Sequence, residues 1–337
     1  MENMHEILDY IETSKDRSML ATVIHVEGSA YRKEGASMLV TADGNQVGVM
    51  SAGCLEEDIM ARFEHVWHHG ADVYEYDMRS DDPFSWGVNN SGCNGVVTVL
   101  LEPLTEKLQS ELLHVKAELM NGHAIQVMKL IQKDDVQTVY QSTSNDHFGE
   151  LSLLKQAVDV PIRSGMWQEM FVHRYEPKPR LFLFGANVDA RPVASFAAAS
   201  GFDVIVTDWR SGLCQDHYFP HATKFIIGFP KETIPTISFR PTDYVVVMTH
   251  HFHYDRDIVI SLQDLSLRYL GVLGSKKRTR RLLGTSVIPP TITTPLGLSI
   301  GAEGPEQIAI SVVAQLIEEE QKGDDRRSLW DTQSASI

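Results

Sequence analysis

Two short turns in the first third of the chain pair glycine with cysteine: Gly53-Cys54-Leu55-Glu56 and Gly92-Cys93-Asn94-Gly95. Thiols held in tight glycine turns suit soft metals, sulfur transfer or nucleophilic attack, uses that packing alone rarely demands. Either cysteine alone also reads as a small buried hydrophobe, the commonest fate of a free thiol. Cys214 lies in neither turn and reads as incidental. Arg32, just past the glycine turn at Gly28, suits a ligand phosphate or a surface carboxylate equally. Glu56 reads as a complement to the dipole of the helix that follows Cys54.

A second group of chemistry-bearing residues lies beyond residue 180. Leu181-Phe182-Leu183-Phe184-Gly185-Ala186 runs into an Ala-rich segment and then Asp203-Val204-Ile205-Val206-Thr207-Asp208. Strand, glycine turn, helix, strand and an acidic residue 23 positions after the first glycine match the dinucleotide-binding βαβ plan. The fingerprint wants a second glycine where the chain has Asn187, whose side chain would crowd a pyrophosphate. Asp208 suits a ribose hydroxyl, and Arg210 nearby a 2′-phosphate. His250-His251-Phe252-His253-Tyr254-Asp255 offers a proton carrier, a metal ligand or simply a polar loop. No two of its histidines have the i, i+4 spacing of a helical zinc motif. Gly274-Ser275-Lys276-Lys277-Arg278 joins a glycine turn to three cations, either a phosphate grip or the solvated start of a basic helix.

Such residues need a frame of strands and helices, and 337 residues suffice for two domains with separate cores. Predicted elements are a helix at Glu6–Thr13, strands at Met19–Val26 and Ser37–Thr41, and an Asp43-Gly44 turn into a strand at Val47–Ser51. Helical spacing of Leu55, Ile59, Phe63 and Val66 then places Cys54 where a helix begins, a position that lowers a thiol pKa and can hold an anion. Strands at Asp72–Asp77 and Val96–Leu101 flank the loop leading to Cys93. From about residue 104 the pattern is less distinctive, with a helix at Glu106–Asn121 and strands at Ile125–Ile131 and Gln137–Gln141. Pro177-Lys178-Pro179 punctuates the chain and sets a boundary. The expectation is residues 1–176 as one domain, 177–322 as a second with a doubly wound parallel sheet, and 323–337 as a polar tail; the fold class is α/β. Strands at Lys224–Ile227, Asp243–Thr249 and Tyr269–Leu273 extend the sheet, and a helix opens at Pro305.

Forty-five acidic against 30 basic side chains give a formal charge of −15, which repels a phosphate backbone and argues against nucleic acid. The apolar runs are strand-sized and the first ten residues lack an apolar signal core, so neither membrane insertion nor secretion is expected. Three cysteines cannot make a disulfide framework, and a reducing cytoplasmic setting follows.

Several of these segments together resemble the XdhC/CoxI family. In the first half they are Ala21-Thr22-Val23, Gly28-Ser29-Ala30-Tyr31-Arg32, Gly35-Ala36-Ser37-Met38-Leu39-Val40, both cysteine turns and Leu101-Glu102-Pro103. In the second they are Pro179 to Ala190, Thr249-His250, Tyr269 to Ser275 and Pro295 to Gly301. The resemblance spans nearly the whole chain in order. It implies an XdhC/CoxI-type domain before a Rossmann-like one, and accessory work rather than metabolic catalysis. Such proteins bind the molybdenum cofactor, protect it during sulfuration by a cysteine desulfurase, and deliver it to xanthine dehydrogenase or a related molybdenum hydroxylase; a homodimer is also implied. The implied cofactor contacts are Cys54 and Cys93, both also open to molybdenum, with Gly53, Gly92, Arg32, Gly185, Asn187, Asp208, His250, Ser275 and Lys276. Family members usually carry Gly-Ala-Gly-His where this chain has Gly185-Ala186-Asn187-Val188, so the second glycine and the histidine are both absent. Two alternatives stand beside it: an NAD(P)-dependent oxidoreductase using Gly185, Asp208 and His250, and an adaptor that holds no cofactor.

Overall fold

The computed structural model describes residues 4–51, 53, 55–79, 94–132, 135–155 and 164–334, with the backbone alone at 94 and from 323 onward. Cys54, Gly92 and Cys93, three of the expected cofactor contacts, lie outside these residues. The chain divides into two compact units, Met1–Pro177 and Lys178–Ile337.

The first unit is built on two antiparallel sheets. Strands β1 (Ser18–Ser29), β2 (Ser37–Thr41), β3 (Gln46–Val47), β4 (Asp72–Asp77) and β5 (Asn94–Pro103) form one in the order β3-β2-β1-β5-β4. Strands β6 (Ile125–Gln132), β7 (Asp135–Ser142), β8 (His147–Gly149), β9 (Gly165–Trp167) and β10 (Met170–Tyr175) form the other in the order β8-β7-β6-β10-β9. Seven successive residues of β1 from Ser18 are buried, so the usual polar alternation is missing. The cause is that both faces of the first sheet are covered. Met19, Ala21 and Val23 pack with Ile59, Phe63 and Val66 of the short helices α2 (Glu56–Ala61) and α3 (Phe63–His69). Leu20 on the opposite face packs with helix α1 (Met4–Thr13), helix α4 (Glu106–Met120) and Ile125, Val127 and Tyr140 of the second sheet. Ile24 and Leu100 meet Phe171 of β10. Buried between the sheets, Lys129 Nζ lies 2.5 Å from Glu102 Oε2, with 2% and 5% of the two residues exposed.

Two local expectations change. The strand predicted at Val47–Ser51 shrinks to Gln46–Val47, because Gly48 at φ +89° turns the chain out of the sheet. The helix expected from Leu55 is interrupted at Arg62, whose N–H is shared between the carbonyls of Asp58 and Ile59.

The second unit is a six-stranded parallel sheet. Its strands are β11 (Arg180–Phe184), β12 (Asp203–Asp208), β13 (Lys224–Ile227), β14 (Tyr244–Val247), β15 (Tyr269–Val272) and β16 (Ile292–Thr293), in the order β13-β12-β11-β14-β15-β16. Counted within the unit this is 3-2-1-4-5-6, the doubly wound dinucleotide-fold order, with its switch point between β11 and β14. Alternate residues feed two cores. Leu181, Leu183, Val204, Val206 and Val246 pack under helix α5 (Ala190–Ala199) and the apolar start of α9 (Pro305–Ser334), whose small Ala190, Ala194, Ala197 and Ala309 let the helices approach closely. Phe182, Phe184, Ile205, Val245 and Val247 pack under α7 (Phe252–Leu262) and α8 (Lys276–Leu283). A short α6 (Pro230–Thr233) follows β13, and α9 continues through the stretch expected as a polar tail.

Candidate functional site

In the first unit the backbone brings two of the sequence motifs side by side. β1 and β5 pair so that Gly28 opposes Gly95 and Ser29 opposes Asn94. A Cβ on Gly95 would stand 2.5 Å from the Glu27 carbonyl oxygen and 2.8 Å from that of Ser29, so only glycine permits this register. The Gly28 turn and the Asn94-Gly95 end of the second cysteine motif therefore lie together at one end of the sheet, on its interior strands. Ala30 and Val26 next to that end pack against the core cluster that holds Met50, just ahead of the first cysteine motif, and Leu55 within it.

The first cysteine motif is drawn together by Glu56. Its carboxylate accepts the Ser51 N–H at 2.7 Å, the Ser51 hydroxyl, and the Leu55 N–H at 3.2 Å, while Ser51 Oγ also accepts the Leu55 N–H at 3.0 Å. Glu56 is buried. Burial works to raise its pKa, and the hydroxyl and N–H donors outweigh it, leaving the carboxyl below its ordinary range. Glu56 is thus a clasp from residue 51 to residue 55 rather than merely a dipole partner. Gly53 within the clasp is exposed at φ +100°.

Arg32 follows Ser29 by three residues and is half-buried, with an Nε that is shut off from solvent and finds no hydrogen-bond partner among the described residues. A buried donor without an acceptor is costly in a finished protein, and an anionic ligand oxygen supplies what is missing. On that observation the residues present fit a phosphate-bearing cofactor.

In the second unit the expected residues gather at the carboxyl ends of the strands, but several are already engaged. Gly185 at φ +119° lets β11 pass β14, since a Cβ there would lie 2.5 Å from the Met248 carbonyl oxygen. Asn187 Nδ2 donates to that same carbonyl at 2.5 Å, and its Oδ1 accepts the Ala190 N–H at 3.1 Å. The asparagine thus replaces the expected glycine as a bridge across the switch point and a cap on α5. Asp208, buried at the end of β12, accepts the Ala186 N–H at 2.8 Å and the Arg210 N–H and guanidinium at 2.7–2.9 Å. Burial tends to raise this carboxyl, and Arg210 with the two N–H donors overcomes it and holds it low.

His250 stands in the left-handed region at φ +59°, with Nε2 3.1 Å from Asp189 at the mouth of α5. A bulky side chain in that backbone state marks strain kept by its surroundings. Ser275 caps α8 by accepting the Arg278 N–H at 3.3 Å, and Lys276 and Lys277 are exposed on its first turn. The third cation of the cluster turns inward: Arg278 donates to Asp255 Oδ2 at 2.6 Å, while Thr249 Oγ1 donates to Oδ1 at 2.5 Å. Asp255, 1% exposed, holds the end of β14 to α8. Its place in the histidine run hides this role, because the run has the composition of a polar loop yet forms the first turn of α7.

Also unforeseen is an aromatic group at the ends of β12 and β14. The Trp209 and Tyr254 rings lie 4.4 Å apart, Tyr254 stacks on His251 at 4.1 Å, and the Arg210 guanidinium sits 4.4 Å over Trp209. Cys214 is buried in the core, and burial, followed by the Asp208 charge, pushes its thiol up to about 11. It is inert packing, as its place outside the motifs suggested.

Comparison with known proteins agrees with this arrangement in order and extent. Residues 13–77 match the XdhC and CoxI family and residues 181–316 match the XdhC Rossmann domain. The chain is 40% identical over 327 residues to a probable xanthine dehydrogenase subunit of Bacillus subtilis strain 168, covering 94% of this chain and 98% of that protein. It is 26% identical over 307 residues to the molybdenum cofactor insertion chaperone PaoD of Escherichia coli K12, covering 89% of this chain and 82% of that one. The crystal structure of a xanthine dehydrogenase from Bacillus halodurans superposes with a TM-score of 0.86 at 40% identity over 96% of both chains. With its two matched domains and these full-length relatives, the chain belongs to the XdhC and CoxI family.

Proposed function

We propose that the protein binds the molybdenum cofactor, shields it while a cysteine desulfurase sulfurates it, and delivers it to xanthine dehydrogenase or a related molybdenum hydroxylase. The observation that carries this is the shared end of the sheet where Gly28-Ser29 pairs with Asn94-Gly95, followed by an Arg32 whose Nε has no acceptor among the described residues. Arg32 would take the cofactor phosphate, and Cys54 and Cys93 would offer sulfur toward its metal. Gly53, with open space where a Cβ would stand, leaves backbone free to approach. When bound, the cofactor supplies a redox-active molybdenum centre for the client enzyme, and this chain's own task is to hold and exclude water. PaoD, a relative along most of the chain, is named for insertion of the same cofactor. Work in the cytoplasm as a homodimer completes the reading.

An oxidoreductase function gains no support at the switch point, where Asn187 fills the space of the second glycine and Asp208 has both oxygens engaged. The test is to mix purified protein with molybdenum cofactor and, separately, with NADH and NADPH. Retention of pterin fluorescence after gel filtration, reduced at least several-fold in Cys54→Ala and in Cys93→Ala with unchanged circular dichroism, is the expected result. Saturable nicotinamide binding would favour the oxidoreductase, binding of neither ligand the adaptor, and equal retention by both cysteine variants would remove the thiols from the site.

A further inference from the structure

Helix α4 carries His114 and Glu118 one turn apart, a spacing that puts both on one face. Against that face lies the turn between β7 and β8, where Asn145 takes the left-handed conformation at φ +68° and presents Asp146 toward the helix. His114 Nε2 is 2.8 Å from Asp146 Oδ2. One ligand atom each from His114, Glu118 and Asp146 falls within 4.8 Å of the others. A fourth group is close by, with His123 Nδ1 3.2 Å from Glu118 Oε2.

These side chains are held in place. The His114 ring stacks on Phe148 with centroids 4.0 Å apart, and Phe148 in turn stacks on the buried Tyr140. The hydroxyls of Ser142 and Ser144 both donate to Glu118 Oε2, the latter at 2.6 Å. Those two hydroxyls, in that order, are the main reason the Glu118 carboxyl sits below its ordinary range. Orienting hydrogen bonds and a fixed imidazole are what a preformed cation site requires around its ligands.

We infer that His114, Glu118 and Asp146 form a site for a divalent transition cation of the zinc class, which pins the β7–β8 turn to α4. One imidazole and two carboxylates are borderline-to-hard donors, matching zinc or cobalt rather than a thiolate-seeking ion. Ligand atoms of a tetrahedral zinc at about 2.0–2.2 Å stand roughly 3.4 Å apart, so a small rotamer adjustment from the present spacing suffices. Two carboxylates with a neutral imidazole cancel the charge of the ion. The site uses neither cysteine and is independent of the molybdenum cofactor reading.

Cobalt(II) serves as the probe, titrated into metal-free full-length protein. One equivalent should bind with visible d–d absorption and without thiolate-to-cobalt charge transfer, zinc should displace it, and zinc should raise the melting temperature. Affinity should fall tenfold or more in His114→Ala and in Asp146→Asn, the second lying on an exposed turn where folding is not at stake. A triple variant with Cys54, Cys93 and Cys214 each changed to Ser should keep the site. Absence of stoichiometric binding, binding indifferent to both ligand variants, or binding lost with the cysteines would each overturn the assignment.

Discussion

Removing the Glu56 clasp gives the sharpest test of how the first cysteine motif is positioned. In Glu56→Ala the Ser51 N–H, the Ser51 hydroxyl and the Leu55 N–H all lose a charged acceptor, and the Leu55 N–H keeps Ser51 Oγ. Hydrogen bonds to a charged group contribute about 1.5–3 kcal/mol, and three sharing one carboxylate are not additive, so the loss should be about 3 kcal/mol. For a unit of this size that lowers the melting temperature by roughly 6–12 °C. Glu56→Gln keeps one acceptor oxygen and should lose only about 1 kcal/mol. Because the folded-state carboxyl is held below its ordinary value of 4.5, its contribution is present above that pH and fades as pH falls through the folded value. The Gln variant should therefore lack this acid-side loss. Urea denaturation of the full-length variants at pH 7 and pH 4 measures both effects, and pterin retention reports on the neighbouring cysteine. A Glu56→Ala midpoint equal to wild type, or a Gln variant as damaged as the Ala one, would refute the clasp.

Two further outcomes concern buried charge and the switch point. Lys129→Met leaves Glu102 buried without its cation and should cost about 3–5 kcal/mol, whereas adding Glu102→Leu should recover most of the loss, both read from urea midpoints. Asn187→Gly restores the glycine of the dinucleotide fingerprint but removes the bridge to Met248 and the cap on Ala190. It should destabilise by about 1–2 kcal/mol without creating NADH affinity, and saturable NADH fluorescence in that variant would show that Asn187 alone closes the crevice.

Where sequence signals agree with one another the architecture is legible. In the second half, apolar strands alternate with helical spacing and are punctuated by Gly185, Gly201 and Gly274, and a parallel sheet on the doubly wound plan results. The second sheet of the first unit is harder to see. β10 carries His173 and Arg174 in its middle, and His173 is buried beneath Gly35, where any Cβ would collide with its imidazole. A buried polar residue breaks the two-residue pattern that marks a strand, and the compensating glycine lies 138 positions earlier. Asp255 escapes notice for a similar reason: its partners Thr249 and Arg278 come from the end of β14 and from helix α8, and nothing local announces them.

The residues that look most like a nucleotide site are those the fold itself uses. A ribose at Asp208 would have to displace the Arg210 guanidinium and break the Ala186 N–H contact, giving up an ion pair for neutral hydroxyl donors. Asn187 likewise spends its amide on Met248 and Ala190. Arg32 in the first unit is the converse, a residue that sequence could assign equally to a surface carboxylate and whose buried Nε has no acceptor among the described residues. Side-chain identity announces which chemistry a residue can do; whether that capacity is free depends on distant partners. A recurring motif in this chain therefore points to a ligand where the fold leaves a donor unanswered, a condition that Arg32 meets just past the Gly28 turn and that Asp208 and Asn187, already engaged, do not.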